Sequence, residues 1–267
     1  MRLSIDHRTT YRFTEPQARV VQLLRMTPRN THDQIVAEWH IALDCNARIS
    51  DGQDGYGNAT TMLYIDGPVE RIDLSVSGEV VTSHSDGVLH GTLEPLPARL
   101  FLRDTPLTRA GEAIATFARE QIGGDAGTIA ALHRLNRAVG ERFTLSRSRP
   151  EAGLSAEEIF ARTTATPRDL AHVFIAAARA SGVPARYVSG YCDIHAGNRP
   201  APHGWADAWV EGLGWVGFDP TLGLSPEEHH VRVAVGPDAV GASPVAGTRM
   251  GEGDERLDVA VSVSVEE

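Results

Sequence analysis

Cysteine is nearly absent: Cys45 and Cys192 are the only two in 267 residues. That is too few for a disulfide framework, and the two lack the paired spacing of a structural zinc site. The scarcity suits a reducing compartment, so the expected location is the cytoplasm. No apolar run approaches the roughly 20 residues that a membrane-spanning helix requires. The opening MRLSIDHRTTYRF also lacks the apolar stretch of a secretory signal, and no membrane partner is expected. Basic residues are outnumbered, 25 against 35 acidic, for a formal net charge of -10. Such a chain offers no broad attraction to a phosphate backbone or an anionic bilayer, which argues against nucleic acid as a partner.

Apolar side chain is plentiful at 42% of residues, enough for one large domain or two modest ones. Residues 1–100 alternate apolar and polar in short runs such as EWHIAL, ATTMLYID and IDLSVSGEVV, the period of half-buried strands. Gly- and Asp-rich turns, DGQDGYGN and HSDG, separate them, so this region reads as a β-rich, sandwich-like domain. From residue 101 the period lengthens. Thr108 and Thr128 are candidate N-caps, and Ile129, Leu132, Leu135 and Val139 recur at helical spacing. Ser155 with Glu158 forms a capping-box pattern ahead of Ile159 and Phe160. A further helix places Leu170, Val173, Phe174 and Ala177 on one face and stops at Gly182 and Pro184. Strands follow at ARYVSGY, HGWADAWV and GWVGFDP. The last segment, 236–267, ends in ERLDVAVSVSV, an alternating strand expected to return to the first sheet. The sum is an α+β chain.

Two stretches bear on chemistry: ARTTATPRDLAHVFIAAARASGVPARYVSGY and HGWADAWVEGLGWVGFDPT. A helix N-terminus lowers the pKa of a cysteine placed there, and such a cysteine needs a histidine base with an orienting carboxylate. On the hairpin His203, Trp205, Asp207 and Trp209 share a face. A three-residue turn at Glu211, Gly212 and Leu213 puts Asp219 opposite Trp205 and diagonal to His203. A four-residue turn flips it away.

The order of helix, strand, His strand and Asp strand, with DLAHVFIAAARASGVPARYVSGY, HGWADAWVEGLGWVGFDPT and HHVRVAVGPDAVGASPVAG, resembles the bacterial transglutaminase-like proteins, relatives of the papain-type cysteine proteases. LSIDHRTTYRF and DGYGNATTMLYIDGP are similar to the β-rich domain that precedes this core in the family. The resemblance implies a papain-like core over 101–235, with helices packed on an antiparallel sheet. It places the family's histidine on His203 and its aspartate on Asp219. It puts Trp205, Trp215, Tyr191 and Asp169 along a substrate groove and calls for no cofactor. The family's nucleophilic cysteine opens the helix two residues before the position of Asp169, and here that place falls on Pro167.

Proline has neither a nucleophilic atom nor the N–H expected in an oxyanion hole. It is well suited to the first turn of a helix. The expectation is therefore a transglutaminase-like pseudoenzyme, a peptide-binding or regulatory subunit. The resemblance suggests as partners a peptide or protein ligand, an active relative, or an ATP-grasp-type enzyme. The alternative is an active amidase, peptidase or acyl transferase with a relocated nucleophile. Cys192, which follows the strand expected beside His203, is the candidate; its other reading is a half-buried structural thiol. Thr164 and Thr166 flank Pro167 but lack the N-terminal amine that activates threonine nucleophiles. Cys192 and His195, with His203 and Asp219, also offer four zinc-type ligands, a weak pattern in a chain with 11 histidines. His229 and His230 read as surface residues, Cys45 as packing, and Asp169 with His172 as an i, i+3 pair at the helix start.

Overall fold

Period-two alternation is carried through the first strand, β1 (Arg2–Leu24), whose Leu3, Ile5, His7, Thr9 and Tyr11 all point inward. The computed structural model describes residues 1–123, 128–193 and 201–266. β1 pairs antiparallel with β4 (Ala59–Thr82). β2 (Gln34–Leu43) and β3 (Arg48–Gln53) flank β4, while β11 (Val245–Met250) and β12 (Glu255–Val265) flank β1. The β1–β4 register breaks between Arg12 and Arg19. Gly67 sits at this break, where a Cβ would meet the Gln17 carbonyl oxygen at 2.0 Å. Leu63 and Leu74 would lie about 36 Å apart along a straight strand at about 3.3 Å per residue. They share one apolar cluster with Leu24, Met26 and Val76, so the long strands turn a corner and their halves pack face to face. The sandwich-like domain is one six-stranded sheet doubled over.

The second sheet is antiparallel in the order β10–β7–β8–β9, built from β7 (Ala185–Cys192), β8 (His203–Val210), β9 (Gly214–Phe218) and β10 (His230–Gly236). Against it pack α1 (Glu112–Ile122), α2 (Ile129–Arg142), α3 (Ala156–Phe160) and α4 (Pro167–Ala180). A short parallel pair, β5 (Thr144–Leu145) and β6 (Thr164–Ala165), leads into α4. Phe174 of α4 stacks on Phe218 with ring centroids 5.2 Å apart. Thr128 caps α2 by accepting from the Ala131 N–H, and Ser155 with Glu158 forms the capping box of α3. Thr108 does not cap α1. It is fully buried and bonded to Thr105 and Arg179, and the Glu157 carboxylate instead accepts from the Gly111 and Ala113 N–H groups. Leu3, Ile5, Val80 and Val261 meet Tyr191 and Val231 where the two sheets join. Among the described residues no helix is long and apolar enough to cross a membrane.

Candidate functional site

The β8–β9 turn has three residues, since Val210 pairs with Gly214. Gly212 and Gly214 take φ of 82° and 87°, left-handed values open to glycine at no steric cost. Continuing that register sets Asp219 opposite Trp205, on the face that carries His203. His203 Nε2 lies 2.7 Å from Asp219 Oδ2, and His230 Nε2 lies 3.1 Å from the same oxygen. The Thr221 N–H donates to Asp219 Oδ1 at 2.9 Å. All three ionisable side chains are buried. Burial alone would push the Asp219 carboxyl up, but the charge and hydrogen bond of His203, then those of His230, hold it well below the usual carboxylate range. Burial lowers His230, against the opposing pull of Asp219.

Cys192 faces His230 across the β7–β10 ladder. Its Sγ and one ring nitrogen from each of His203 and His230 lie within 4.8 Å of one another. His230 therefore belongs inside the site and not on the surface. His229 stays half-exposed, with Nδ1 2.7 Å from Asp193 Oδ1. Adjacent histidines look alike in sequence; only the ladder separates them. The three side chains are chemically suited to a soft divalent metal, but their lone pairs are mostly committed. Both Nε2 atoms bond Asp219, and His230 Nδ1 accepts from the Glu227 N–H at 3.3 Å. Of the four ring nitrogens of His203 and His230, His203 Nδ1 alone is buried with no hydrogen-bond partner among the described residues. A cation would require His230 to give up a present bond. His195 lies outside the described residues.

At the start of α4, Thr166 and Asp169 form a complete capping box with Pro167 in the first turn. The Thr166 hydroxyl donates to Asp169 Oδ2 at 2.7 Å, and Arg168 Nη2 reaches Asp169 Oδ1 at 3.1 Å. Asp169 thus serves the helix start, and Thr164 is exposed on β6. The groove expected from the resemblance is not formed by its four residues, because each is covered: Trp205, Trp215, Tyr191 and Asp169 keep 1%, 3%, 3% and 5% exposure. Trp205 packs with Val188 and Val235, Trp215 lies edge-on to Phe101, and Tyr191 bonds His7 Nδ1 at 2.9 Å.

The fold and this pair together can be set against known proteins. Residues 3–81 match the bacterial transglutaminase-like N-terminal region, and residues 115–220 match the transglutaminase-like superfamily. The chain belongs to the transglutaminase-like superfamily. It is 25% identical to "Uncharacterized protein ML0607" of Mycobacterium leprae over 98% of both chains. It is equally 25% identical to "Uncharacterized protein Rv2569c" of Mycobacterium tuberculosis, over 98% of this chain and 92% of that one. Its fold resembles the crystal structure of "a Putative Cysteine Protease from Cytophaga hutchinsonii", with a TM-score of 0.77 at 18% identity, over 99% of this chain and 90% of the other.

In this transglutaminase-like protein β7 divides two environments. Its alternation puts Val188, Gly190 and Cys192 on the face of Trp205 and His203, and Tyr187 and Ser189 on the opposite face. The first face holds an ionic quartet, buried at Arg186 and Asp207, that sequence reading missed. Asp207 takes Arg186 Nε at 2.9 Å and both terminal nitrogens of Arg232 at 2.8 and 2.7 Å, while Glu94 takes the Arg186 fork at 2.6 and 2.9 Å. Burial would raise the Asp207 carboxyl, yet Arg232 and then Arg186 hold it low. The second face, under α4, borders a cavity of about 640 Å³.

Two buried histidines line that cavity, His7 and His172, and burial lowers each from 6.5 to about 4. Unfolding restores their ordinary affinity for protons, so their contribution is full above pH 6.5 and fades toward pH 4. Together they are expected to remove about 5 kcal/mol of stability between pH 7.5 and 4.5. Urea titrations across that range check this. His7→Phe and His172→Phe should each flatten the curve by about half; a level profile in the unsubstituted protein would refute the assignment of buried neutral rings.

Proposed function

We propose that this chain is a transglutaminase-like pseudoenzyme, a ligand-binding or regulatory protein that forms no thioester. The observation that carries the reading is the first turn of α4. By resemblance Pro167 holds the nucleophile's place, and Pro167 brings no attacking atom. The neighbouring Thr166 hydroxyl is committed to the capping box. His203 keeps its carboxylate at 2.7 Å through Nε2, while its buried Nδ1 has no hydrogen-bond partner among the described residues. A catalytic histidine would use that second nitrogen on the nucleophile. The pair then acts as a hydrogen-bonded brace across β8 and β9. In this reading the protein works in the cytoplasm, holding a peptide or docking on an active relative or an ATP-grasp-type enzyme.

A second reading has one observation in its favour, the closeness of Cys192 Sγ to the ring nitrogens of His203 and His230. A thiol so placed could take the role of the lost one and make the protein a cysteine amidase or acyl transferase. The alkylation rate of Cys192 against pH, followed by mass spectrometry in the native protein and in His203→Ala, decides between them. The pseudoenzyme requires slow alkylation that is the same in both. Fast reaction well below about pH 8.5, lost in the variant, would mean a thiolate–imidazolium pair and a working enzyme.

A further inference from the structure

The cavity under α4 stands out by what its wall omits. Arg149 and Arg168 line it beside the neutral His7 and His172, and among the described residues no aspartate or glutamate does, in a chain with 35 acidic residues against 25 basic ones. Such selection of one sign over a concave surface concentrates anions. Arg168 shares its charge with Asp169. Arg149 donates to the Leu257 carbonyl at 2.7 Å and has no carboxylate partner among the described residues. The wall thus offers about one unshared positive charge, which matches a monoanion better than a phosphate dianion.

His172 adds a second, independent sign. The Ala239 N–H donates to its Nε2 at 3.0 Å, so the neutral ring carries its proton on Nδ1. That N–H, on a side chain that lines the cavity, is buried and has no acceptor among the described residues. A buried donor without an acceptor is unusual enough to call for one. Tyr187 and Ser189 supply further hydroxyls, and Leu154, Val240 and Val259 add apolar lining.

We propose that the cavity binds the carboxylate of a short apolar peptide, with the Arg149 and Arg168 guanidiniums and the His172 Nδ1–H as its donors. This rests on the reading of the chain as a binding protein, and it gives that reading a ligand class and a place. The binding face is the one opposite His203 and Asp219, so the two sites can be tested apart.

The probe is acetyl-leucyl-alanine, as the free acid and as its C-terminal amide, titrated calorimetrically into the full chain with the recovered peptide analysed by mass spectrometry. The acid should bind saturably and the amide at least about 10-fold more weakly. Arg149→Gln, at an exposed rim position that does not threaten folding, should weaken the acid by about 5-fold or more and narrow the gap. Arg8→Gln, at an exposed position on the outer face of β1, should leave both affinities unchanged. Equal binding of acid and amide, or no saturation by either up to about 10 mM, overturns the proposal. Release of ammonia from the amide would instead sink the pseudoenzyme reading while leaving an acid-selective cavity in place.

Discussion

Asp207→Ala is expected to destabilise the protein by about 3–5 kcal/mol, the largest loss we anticipate from one substitution. The arithmetic is one of charge. Asp207 and Glu94 balance Arg186 and Arg232, and the Arg186 and Asp207 side chains keep only 2% and 0% exposure. Removing Asp207 takes from Arg232 its carboxylate and leaves the buried Arg186 guanidinium with Glu94 alone. Arg186 also lies 4.2 Å over the Trp215 ring, so its packing is fixed and it cannot swing out to solvent. Replacing the quartet as a whole by apolar side chains of similar volume should be nearly neutral, because the desolvation it removes offsets the attraction it loses. Urea midpoints of the single variant and the fourfold variant measure both. A loss below about 1 kcal/mol for Asp207→Ala would mean that these charges are hydrated in solution.

Pro167→Cys is expected to create a thiol that titrates below pH 7. A cysteine at this position gains the positive end of α4 and, by the resemblance, the free nitrogen of His203. Comparable thiols have pKa values of about 3.5–7.5 against about 8.5 unperturbed. At pH 7 the thiolate fraction should be more than half, against about 3% for an unperturbed thiol. The midpoint of the alkylation profile is the better readout than its height, since a low-pKa thiolate is also a weaker nucleophile. Losing proline from the first turn should lower stability by only about 0.4–1 kcal/mol. A midpoint that stays near 8.5 would show that Pro167 does not occupy the nucleophile's place, and the pseudoenzyme reading would lose its main support.

Local rules made part of this molecule legible before any coordinates. The alternation within residues 1–100 and the capping box at Ser155 follow from spacing over a few residues, and so do the two hairpin registers from which the three-residue turn at Gly212 selects the one with Asp219 opposite Trp205. What escaped depends on contacts between distant segments. His230 enters the site through its place opposite Cys192, and Glu94 completes the quartet from a stretch outside both sheets. Tyr191, expected in a groove, is covered because His7 of the other sheet reaches it. Thr108 has the chemistry of a cap, yet Glu157 arrives from α3 and takes the bonds. Neither alternation nor cap patterns encode which far segment will close over a residue.

The position of β1 between β4 and the two last strands has a consequence for how the chain is made. Leu3 faces Val265 and Leu24 faces Val245, so one edge of the first strand stays open until β11 and β12, beyond the whole second sheet, have been made. The residues of α1 to β10, whose contacts are mostly with one another, can settle earlier. An exposed strand edge of this length, waiting through the synthesis of a whole intervening core, is a template for mispairing with another nascent chain. Closure by pairing the most distant segments also makes this the slow step of folding. The alternating charged residues on the outer face of β1, Arg2, Asp6, Arg8 and Arg12, keep that open edge in water until its partners arrive.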